Sequence, residues 1–402
     1  MAAELRVLEL YSGMGGMHYA LKESGVAAQV VAAVDVNTTA NEIYRHNFPD
    51  TPLWPKTIEG ISLEEFNKLS FDMILMSPPC QPFTRIGLQG DTSDPRTKSF
   101  LYILDLLPRL ATLPRFILLE NVKGFETSSA RASLVKTLTH CGYTFQEMLV
   151  SPTSLGIPNS RLRYFLIAKR PPGSFSFESR SEIVEGFPQF LPAVSSSRPA
   201  LAPPTSCSSA RPKEHRDAVP PDPEHVVLYK LETARDAERK AEQNADPSVR
   251  QIQEFLELGA DLGGEEVEEE VSHYLLPPKT LLRYALLMDI VTPTCRRSVC
   301  FTKGYGHYVE GTGSVLQSCL EAEMHSVFRG LAELAPGQEE EKLQRLRSLR
   351  LRYFTPREIA NLLGFPSSLA FPDQISTKQR YRVLGNSLNV RVVATLLRLM
   401  VS

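Results

Sequence analysis

The first predicted strand, a glycine-rich turn and the start of the first predicted helix all lie in Leu5-Arg6-Val7-Leu8-Glu9-Leu10-Tyr11-Ser12-Gly13-Met14-Gly15-Gly16-Met17. The glycines after this apolar run let backbone N–H groups approach a ligand at the amino end of the helix. Asp35 ends the next apolar run about 20 residues on, where a carboxylate can accept hydrogen bonds from ribose hydroxyls. The segment predicts a nucleoside-containing cofactor, although a purely structural turn is an equally good interpretation. The spacing is not GxGxxG, which argues against NAD but does not by itself identify S-adenosylmethionine.

The first 170 residues alternate short apolar runs with segments of helical periodicity. The runs that predict buried strands are Leu5–Leu10, Gln29–Asp35, Asp72–Ser77 and Phe116–Glu120. The segments that predict amphipathic helices are Met14–Ser24, Thr38–Asn47, Leu63–Leu69, Thr97–Leu110 and Ala130–His140. Such alternation predicts βαβ units, and therefore an α/β fold with a mostly parallel, Rossmann-like sheet. Tyr143–Val150 and Leu162–Lys169 follow without a long helix between them, which predicts an antiparallel pair that closes the sheet.

A cysteine flanked by prolines follows the third apolar run, in Pro78-Pro79-Cys80-Gln81-Pro82-Phe83. The prolines end the strand ladder and fix φ, so Cys80 is expected on a stiff loop at a carboxyl end of the sheet. In open α/β sheets that edge is where ligands bind. A thiol held at a fixed approach distance suits a nucleophile. A loop cysteine without chemistry is the alternative.

Two further charged groups are predicted at the same edge. Glu120 ends an apolar strand, where burial raises the pKa of a carboxyl group and favours its protonated form. Arg161 and Arg163 are two residues apart, so a strand would direct both side chains to one face. Together they can bind an anionic or carbonyl group. The alternatives are a glutamate that caps a turn or pairs with an arginine, and two exposed edge charges.

The composition limits the class of protein. The formal net charge of the 402 residues is −2, so a nucleic-acid partner must be bound by a local basic patch. Six scattered cysteines without a CxxC pair predict reduced thiols rather than disulfides or a metal site; they are Cys80, Cys141, Cys207, Cys295, Cys300 and Cys319. Neither a signal peptide nor an apolar run of membrane-spanning length is evident. We expect a cytoplasmic and also nuclear protein that binds neither membrane nor metal.

The second half of the chain is less regular. Residues 171–272 are rich in Pro, Ser and Arg and then acidic, which predicts a flexible polar insertion. The Leu-rich stretch Tyr274–Val291 predicts a helix. Basic residues dominate from Lys342 to Arg398. They form either the solvated surface of helices or a strip that faces a polyanion.

In chain order, the candidate motifs are the glycine turn, Asp35, Pro79-Cys80-Gln81, Glu120-Asn121-Val122, Arg161-Leu162-Arg163 and Gly385-Asn386-Ser387-Leu388-Asn389-Val390. In that order they resemble the cytosine-5 methyltransferases of the DNA-methyltransferase type. The resemblance implies an S-adenosylmethionine-binding catalytic domain at residues 1–170 that is completed by residues 351–402. It also implies a smaller target-recognition domain at residues 273–350, after the insertion.

The resemblance implies a role for each matching residue. The Cys80 thiolate attacks C6 of a cytosine, Glu120 supplies a proton at N3, and Arg161 and Arg163 contact the base and orient both groups. S-adenosylmethionine is the implied methyl donor. The residues that match its binding site are Tyr11, Ser12, Gly13, Met14, Gly15, Gly16, Asp35, Ile58, Glu59, Asn386 and Ser387.

The stretch from Arg296 to Gly306 resembles a Cys-Phe-Thr signature of the family branch that methylates transfer RNA. The implied substrate is tRNA, tRNA-Asp in particular, methylated in its anticodon loop. The candidate RNA contacts are Arg296, Arg297, Cys300, Phe301, Thr302 and Lys303. Cys300 as a buried structural residue is the alternative. For the whole protein, the alternatives are an enzyme that acts on DNA, a non-catalytic nucleic-acid scaffold, and an NAD-dependent oxidoreductase.

Overall fold

The computed structural model describes residues 4–79, 97–188, 233–257 and 272–402. The predicted nucleophile Cys80 lies outside the described residues, as do Cys207 and the central part of the predicted insertion. Pro79 and Thr97 are the described residues that flank the segment containing Cys80.

Eight strands form the central sheet: β1 (Leu5–Leu10), β2 (Ala28–Val34), β3 (Leu53–Trp54), β4 (Met73–Met76), β5 (Phe116–Val122), β6 (Thr144–Val150), β7 (Arg163–Lys169) and β8 (Val184–Glu185). Their order across the sheet is β3-β2-β1-β4-β5-β7-β6-β8. Strands β1 to β5 are parallel, and β7 is antiparallel to both of its neighbours, β5 and β6. The predicted α/β fold and the predicted antiparallel pair are therefore confirmed.

Helices cover both faces of this sheet. One face is covered by α1 (Gly16–Ser24), α2 (Thr38–Asn47), α10 (Pro356–Leu362), α11 (Thr377–Asn386) and α12 (Val390–Val401). The other face is covered by α3 (Leu63–Leu69), α4 (Lys98–Leu106) and α5 (Ser129–His140). In β4, Met73 and Leu75 join the first core, whereas Ile74 and Met76 join the second. Burial on both sides explains why the strands are continuous apolar runs in the sequence.

The end of the chain packs against its beginning. Helix α12 lies against α1, and the side-chain amide of Asn47 at the end of α2 donates to the Ala370 carbonyl at 2.8 Å. The α11–α12 stretch Thr377–Val401 is long and apolar enough to span a membrane, but 72% of its most apolar window is buried in the protein. This burial is what a core helix requires, and it accounts for the apolar composition.

A second, three-stranded sheet follows the large one in sequence and precedes the three C-terminal helices. It contains β9 (Ile290–Val291), β10 (Val315–Gln317) and β11 (Leu351–Arg352), and it packs with α7 (Pro278–Tyr284), α8 (Met324–Ala332) and α9 (Glu339–Ser348) around a separate core. The prediction of one helix over Tyr274–Val291 was wrong. Pro277 precedes the helix and Pro278 begins it, and the chain is extended again at β9.

The predicted flexible insertion is partly ordered, which corrects the sequence interpretation. Strand β8 pairs with β6 at the edge of the large sheet, and α6 (Ala234–Ala245) is helical. Val184 and Phe187 are buried in the first core. The short apolar group Ile183, Val184 and Phe187 is too brief to show a periodicity, so this docking could not be recognised from the sequence.

Phe187→Ala is expected to lower the free energy of unfolding by about 3–5 kcal/mol, the usual cost of truncating a buried aromatic side chain. The side chain is only 1% exposed. Urea denaturation of the purified variant measures the change. Phe175→Ala is the matched control, because Phe175 is only partly buried at the border of the same core. Equal, small losses in both variants would show that Phe187 does not anchor this segment.

Candidate active site

The carboxyl ends of three neighbouring strands meet at one edge of the large sheet. Leu10 of β1 is paired with Met76 of β4, and Met76 is paired with Leu119 of β5. The next residues along the chain, Tyr11, Ser77 and Glu120, therefore lie side by side at this edge. The Ser77 hydroxyl donates to the Tyr11 carbonyl at 3.1 Å, which ties the glycine turn to the strand that precedes Cys80.

The glycine turn has the backbone conformation that its sequence predicts. Gly15 has φ 94°, and a Cβ there would stand 2.5 Å from the Phe48 ring. Tyr11 has φ 57°, a conformation that costs a non-glycine residue about 1–3 kcal/mol and that occurs mainly at functional sites. The Asp35 carboxylate accepts the backbone N–H of Gly13 at 2.8 Å and that of Asn37 at 2.7 Å. The acidic residue is thus fixed beside the turn.

The predicted cofactor residues from distant parts of the sequence converge on this turn. The Ser387 hydroxyl oxygen lies 3.1 Å from the position of a Cβ on Gly16, so the end of α11 closes over the start of α1. Ile58 is buried in the core behind β1, and Glu59 is half-buried. The Ser12 hydroxyl is buried and has no hydrogen-bond partner among the described residues. A buried, unsatisfied hydroxyl beside a glycine turn fits a small polar ligand such as the amino-acid portion of S-adenosylmethionine.

Glu120 is a buried carboxyl group next to an arginine. Its Oε1 lies 3.6 Å from Nε of Arg163, and the residue as a whole is 9% exposed. Burial raises the pKa of Glu120 above its ordinary value, although the positive charges of Arg163 and Arg161 oppose the shift. A raised pKa keeps the proton on this group to a higher pH than usual, which suits a proton donor.

Asn121 connects this acid to the described residues that precede the predicted nucleophile. Its side-chain amide donates to the Pro78 carbonyl at 3.3 Å, two residues before Cys80. The amide of Asn121 is buried, and its carbonyl oxygen accepts the backbone N–H of Val122 at 2.8 Å. The strand end that presents Glu120 therefore also holds the beginning of the Cys80 segment.

The two arginines are arranged differently from the prediction. Strand β7 begins at Arg163, so Arg161 precedes the strand and the two side chains do not share a strand face. They meet instead at the Cys300 sulfur, with Arg161 Nη1 at 3.2 Å and Arg163 Nη2 at 3.6 Å. Arg161 is 4% exposed and also donates to the carbonyls of Phe301, Gly385 and Ser387. Its buried position makes it a positioning residue that joins three segments.

Cys300 is the site residue whose contacts the sequence did not reveal. Burial alone raises the pKa of its thiol, but the positive charges of Arg161 and Arg163 outweigh burial and lower the pKa below the ordinary value. The sulfur accepts hydrogen bonds from both arginines. Arg163 thus contacts Cys300 through Nη2 and Glu120 through Nε.

Cys300→Ala removes the atom at which the two guanidinium groups meet. We expect kcat to fall about 10- to 100-fold, because small displacements of a positioning group cost about that much, while cofactor affinity stays unchanged. Cys300→Ser keeps a hydrogen-bond acceptor, and its kcat is expected to lie between those of Cys300→Ala and the wild type. Steady-state kinetics test this, with Cys319→Ala as the control. A wild-type kcat in Cys300→Ala would show that the sulfur does not position Arg163.

The other candidate RNA contacts divide into buried and exposed groups. Arg297 is 5% exposed and forms a two-pronged ion pair with Asp289, at 2.6 and 3.1 Å. Arg296 donates to the Val249 carbonyl, and Phe301 is buried against Tyr305 and Phe354. These positions argue against direct RNA contact by Arg297 and Phe301. Thr302 is half-buried, and Lys303 is exposed.

A buried acid behind the glycine turn was also missed. Glu9 accepts the Tyr44 hydroxyl at 2.8 Å, and this hydroxyl lies 2.9 Å from Nδ1 of His18. Burial raises the pKa of Glu9 to about 8, despite the hydrogen bond from Tyr44. The acid sits within an apolar strand, so only the tertiary structure reveals these partners.

The raised pKa of Glu9 predicts a pH-dependent stability. A raised pKa contributes stability that is fully present below the unfolded value of 4.5 and is lost as the pH rises through about 8. We expect the wild type to lose a few kcal/mol between pH 5 and pH 8.5 relative to Glu9→Gln, whose side chain does not ionise. Urea denaturation at the two pH values measures this difference. Parallel stability profiles of the two proteins would contradict it.

The fold and this site define a class I S-adenosylmethionine-dependent methyltransferase. The sequence profile of the C-5 cytosine-specific DNA methylase family matches residues 5–402, and the chain belongs to that family. A Mus musculus protein named tRNA (cytosine(38)-C(5))-methyltransferase is 56% identical over 407 residues, which cover 98% of this chain and 92% of that protein. A Homo sapiens protein of the same name is 56% identical over 399 residues, with 98% and 99% covered.

Solved structures agree with these sequence relatives. A crystal structure of a DNMT2 variant from Spodoptera frugiperda superimposes with a TM-score of 0.74 at 36% sequence identity. The match covers 99% of this chain and 100% of that one. The similarity therefore includes the small sheet and the C-terminal helices as well as the large sheet.

Proposed function

We propose that this protein transfers a methyl group from S-adenosylmethionine to C5 of a cytosine in the anticodon loop of tRNA, with tRNA-Asp as the substrate. The observation that carries the proposal is the position of the buried acid Glu120. Its carboxylate contacts Arg163, and the next residue, Asn121, binds the carbonyl of Pro78, two residues before Cys80. Family membership supports cytosine C5 as the acceptor. The names of the mouse and human relatives support tRNA as the polymer. We further propose a cytoplasmic and nuclear location.

S-adenosylmethionine supplies an electrophilic methyl group when it is bound. The glycine turn provides N–H donors at the start of α1, and Asp35 provides an acceptor for ribose hydroxyls. Ser12 and Ser387 add hydroxyl groups beside the turn. We assign Ile58 and Glu59 to the adenine side of the site.

The chain's own residues make the cytosine reactive. The Cys80 thiolate forms a bond to C6, and the electron pair of the C5–C6 double bond makes C5 nucleophilic. Protonation of N3 by Glu120 neutralises the charge that this attack places on the ring. After methylation of C5, the C5 proton is lost to solvent, the Cys80 sulfur leaves as a thiolate, and N3 returns its proton to Glu120, so the aromatic ring and the enzyme are both restored. A soft thiolate suits the cycle because it attacks readily and leaves again.

The proposed function is tested with radiolabelled methyl donor and three polymers: a tRNA-Asp transcript, the same transcript with the target cytosine changed to uracil, and duplex DNA. We expect label in the first polymer only. The uracil variant is the matched control, because it keeps the tRNA shape and lacks the acceptor base. Label in duplex DNA but not in tRNA would reject tRNA and favour the DNA alternative, to which the family's name refers.

A further inference from the structure

An aromatic cleft opens between α11 and the small sheet, outside the residues that the proposed mechanism uses. Its volume is about 410 Å³. Most of its lining consists of aromatic rings, and the lining residues are His273, Tyr274, Gly306, Tyr353, Thr377 and Tyr381. A cleft of this size with ring-lined walls suits a planar heterocycle that stacks between side chains.

The walls of the aromatic cleft are held rigidly. The buried Tyr305 ring packs edge-on against both Tyr353 and Tyr381, with centroid distances of 5.4 and 5.1 Å. The Tyr305 hydroxyl donates to the Ser314 carbonyl at 2.7 Å, and the Tyr381 hydroxyl donates to the Phe354 carbonyl at 2.6 Å. Tyr381 is only 6% exposed and supports the cleft from within, whereas Tyr353 is half-buried and presents ring surface to the cleft. Because the Tyr353 ring is already fixed, stacking on it costs little conformational entropy.

Two exposed basic residues are the sequence neighbours of lining residues of the aromatic cleft. Lys378 and Arg382 follow the lining residues Thr377 and Tyr381 on α11, and both are exposed. Neither forms an ion pair with a carboxylate in the described part of the chain. Other basic residues of the C-terminal strip are engaged internally: Arg352 pairs with the buried Glu358 at 2.8 Å, for example. Free cations beside aromatic walls match a phosphate attached to a base.

The cleft adjoins the proposed active site along α11. The Gly385 carbonyl accepts Arg161 Nη2 at 3.2 Å, and Tyr381 precedes Gly385 by four residues, about 6 Å along a helix. The loop that follows Cys300 runs beside the same helix. A Cβ on Gly385 would lie 2.2 Å from the Thr302 backbone, and a Cβ on Gly306 would lie 3.1 Å from the Tyr381 ring. The cleft is therefore linked to the buried Arg161 through α11 and the loop that follows Cys300.

From these observations we propose that the aromatic cleft is a second nucleobase site, which binds an unpaired base of the substrate RNA next to the target cytosine. The proposal rests on the proposed function, because it assigns the base to the same RNA loop. A base held here keeps the loop open while the target base lies at Glu120. The site favours single-stranded RNA loops over duplexes, since a paired base cannot enter it.

The test uses the full-length protein and an anticodon-loop hairpin. Thr377→Trp places an indole in the cleft from an exposed position, and the matched control Thr112→Trp adds the same ring at an exposed position in the loop before β5. We expect Thr377→Trp to weaken hairpin binding about 5- to 100-fold, the loss that one stacked base predicts. We expect the dissociation constant of Thr112→Trp to equal that of the wild type. Equal affinities of the two variants would overturn the proposal.

Photo-crosslinking tests the contact directly. Hairpins that carry 4-thiouridine at one loop position each are irradiated with the wild-type protein, and the modified peptide is mapped by mass spectrometry. We expect one position outside the target to crosslink to His273, Tyr274 or Tyr353, and Thr377→Trp to abolish that crosslink. Crosslinks confined to other peptides would overturn the proposal. Methyl transfer to tRNA by the same wild-type preparation tests the proposed function separately.

Discussion

Cys80→Ala is expected to lower the rate of methyl transfer about 1,000-fold or more, because the proposed reaction has no path to a nucleophilic C5 without the thiolate. Binding of S-adenosylmethionine is expected to stay unchanged, since the sulfur acts on the base and not on the methyl donor. Single-turnover transfer of labelled methyl groups to tRNA measures the rate, and equilibrium dialysis measures the affinity for S-adenosylmethionine.

Cys141→Ala provides the matched control for this substitution. Cys141 is a half-buried free thiol at the end of α5, on the face of the sheet away from the C-terminal helices. We expect wild-type methyl transfer from this variant. Full activity in Cys80→Ala would reject a covalent adduct, and equal losses in both variants would point to a general need for free thiols.

Glu120→Gln is expected to slow methyl transfer about 100- to 10,000-fold, the range over which general acid catalysis contributes. Glutamine has nearly the same shape and still offers an oxygen to Arg163, but it has no acidic proton for N3. The dissociation constant for tRNA is expected to change little. Pre-steady-state kinetics measure the rate of methyl transfer separately from the binding of tRNA. Glu185→Gln, at an exposed position on β8, is the control, and a wild-type rate in Glu120→Gln would reject the assignment.

The pH profile gives an independent check on Glu120. Its pKa is raised by burial, so the carboxyl group stays protonated above the usual range and loses its proton as the pH rises through the raised value. The wild-type rate is therefore expected to fall on the alkaline side of this pKa. Glu120→Gln should lack that fall, because it has no titrating group. If the rates of both proteins fall in the same way at alkaline pH, the group that loses its proton is a residue other than Glu120.

The local parts of the site could be predicted from the sequence. A strand, a glycine turn and a helix follow each other within twenty residues, and Asp35 ends the neighbouring strand, so backbone geometry alone brings its carboxylate to the Gly13 N–H. Glu120 was predicted to end its strand, whereas β5 continues for two residues to Val122 because Asn121 and Val122 pair with β7. Parallel strands align their carboxyl ends, so motifs that are separate in the sequence meet at one edge of the sheet.

Contacts between distant segments could not be predicted in this way. Arg161 and Cys300 are 139 residues apart in sequence and touch because the loop between β9 and β10 packs against the loop before β7. Arg297 was predicted to bind RNA, yet its partner Asp289 lies in a stretch predicted as helix. Phe187 anchors a polar segment with a single ring. In each case tertiary packing determines the environment of the residue, and no periodic pattern in the sequence indicates that environment.

A 5-fluorocytidine trap tests the central claim most directly. A tRNA transcript that carries 5-fluorocytidine at the target position is incubated with the protein and S-adenosylmethionine, and the product is separated under denaturing conditions. After methylation, fluorine occupies the place of the proton that must leave C5, so the sulfur cannot be eliminated. The account predicts a stable protein–RNA adduct whose modified peptide contains Cys80. Methylation of ordinary tRNA without any adduct on the fluorinated tRNA would contradict it.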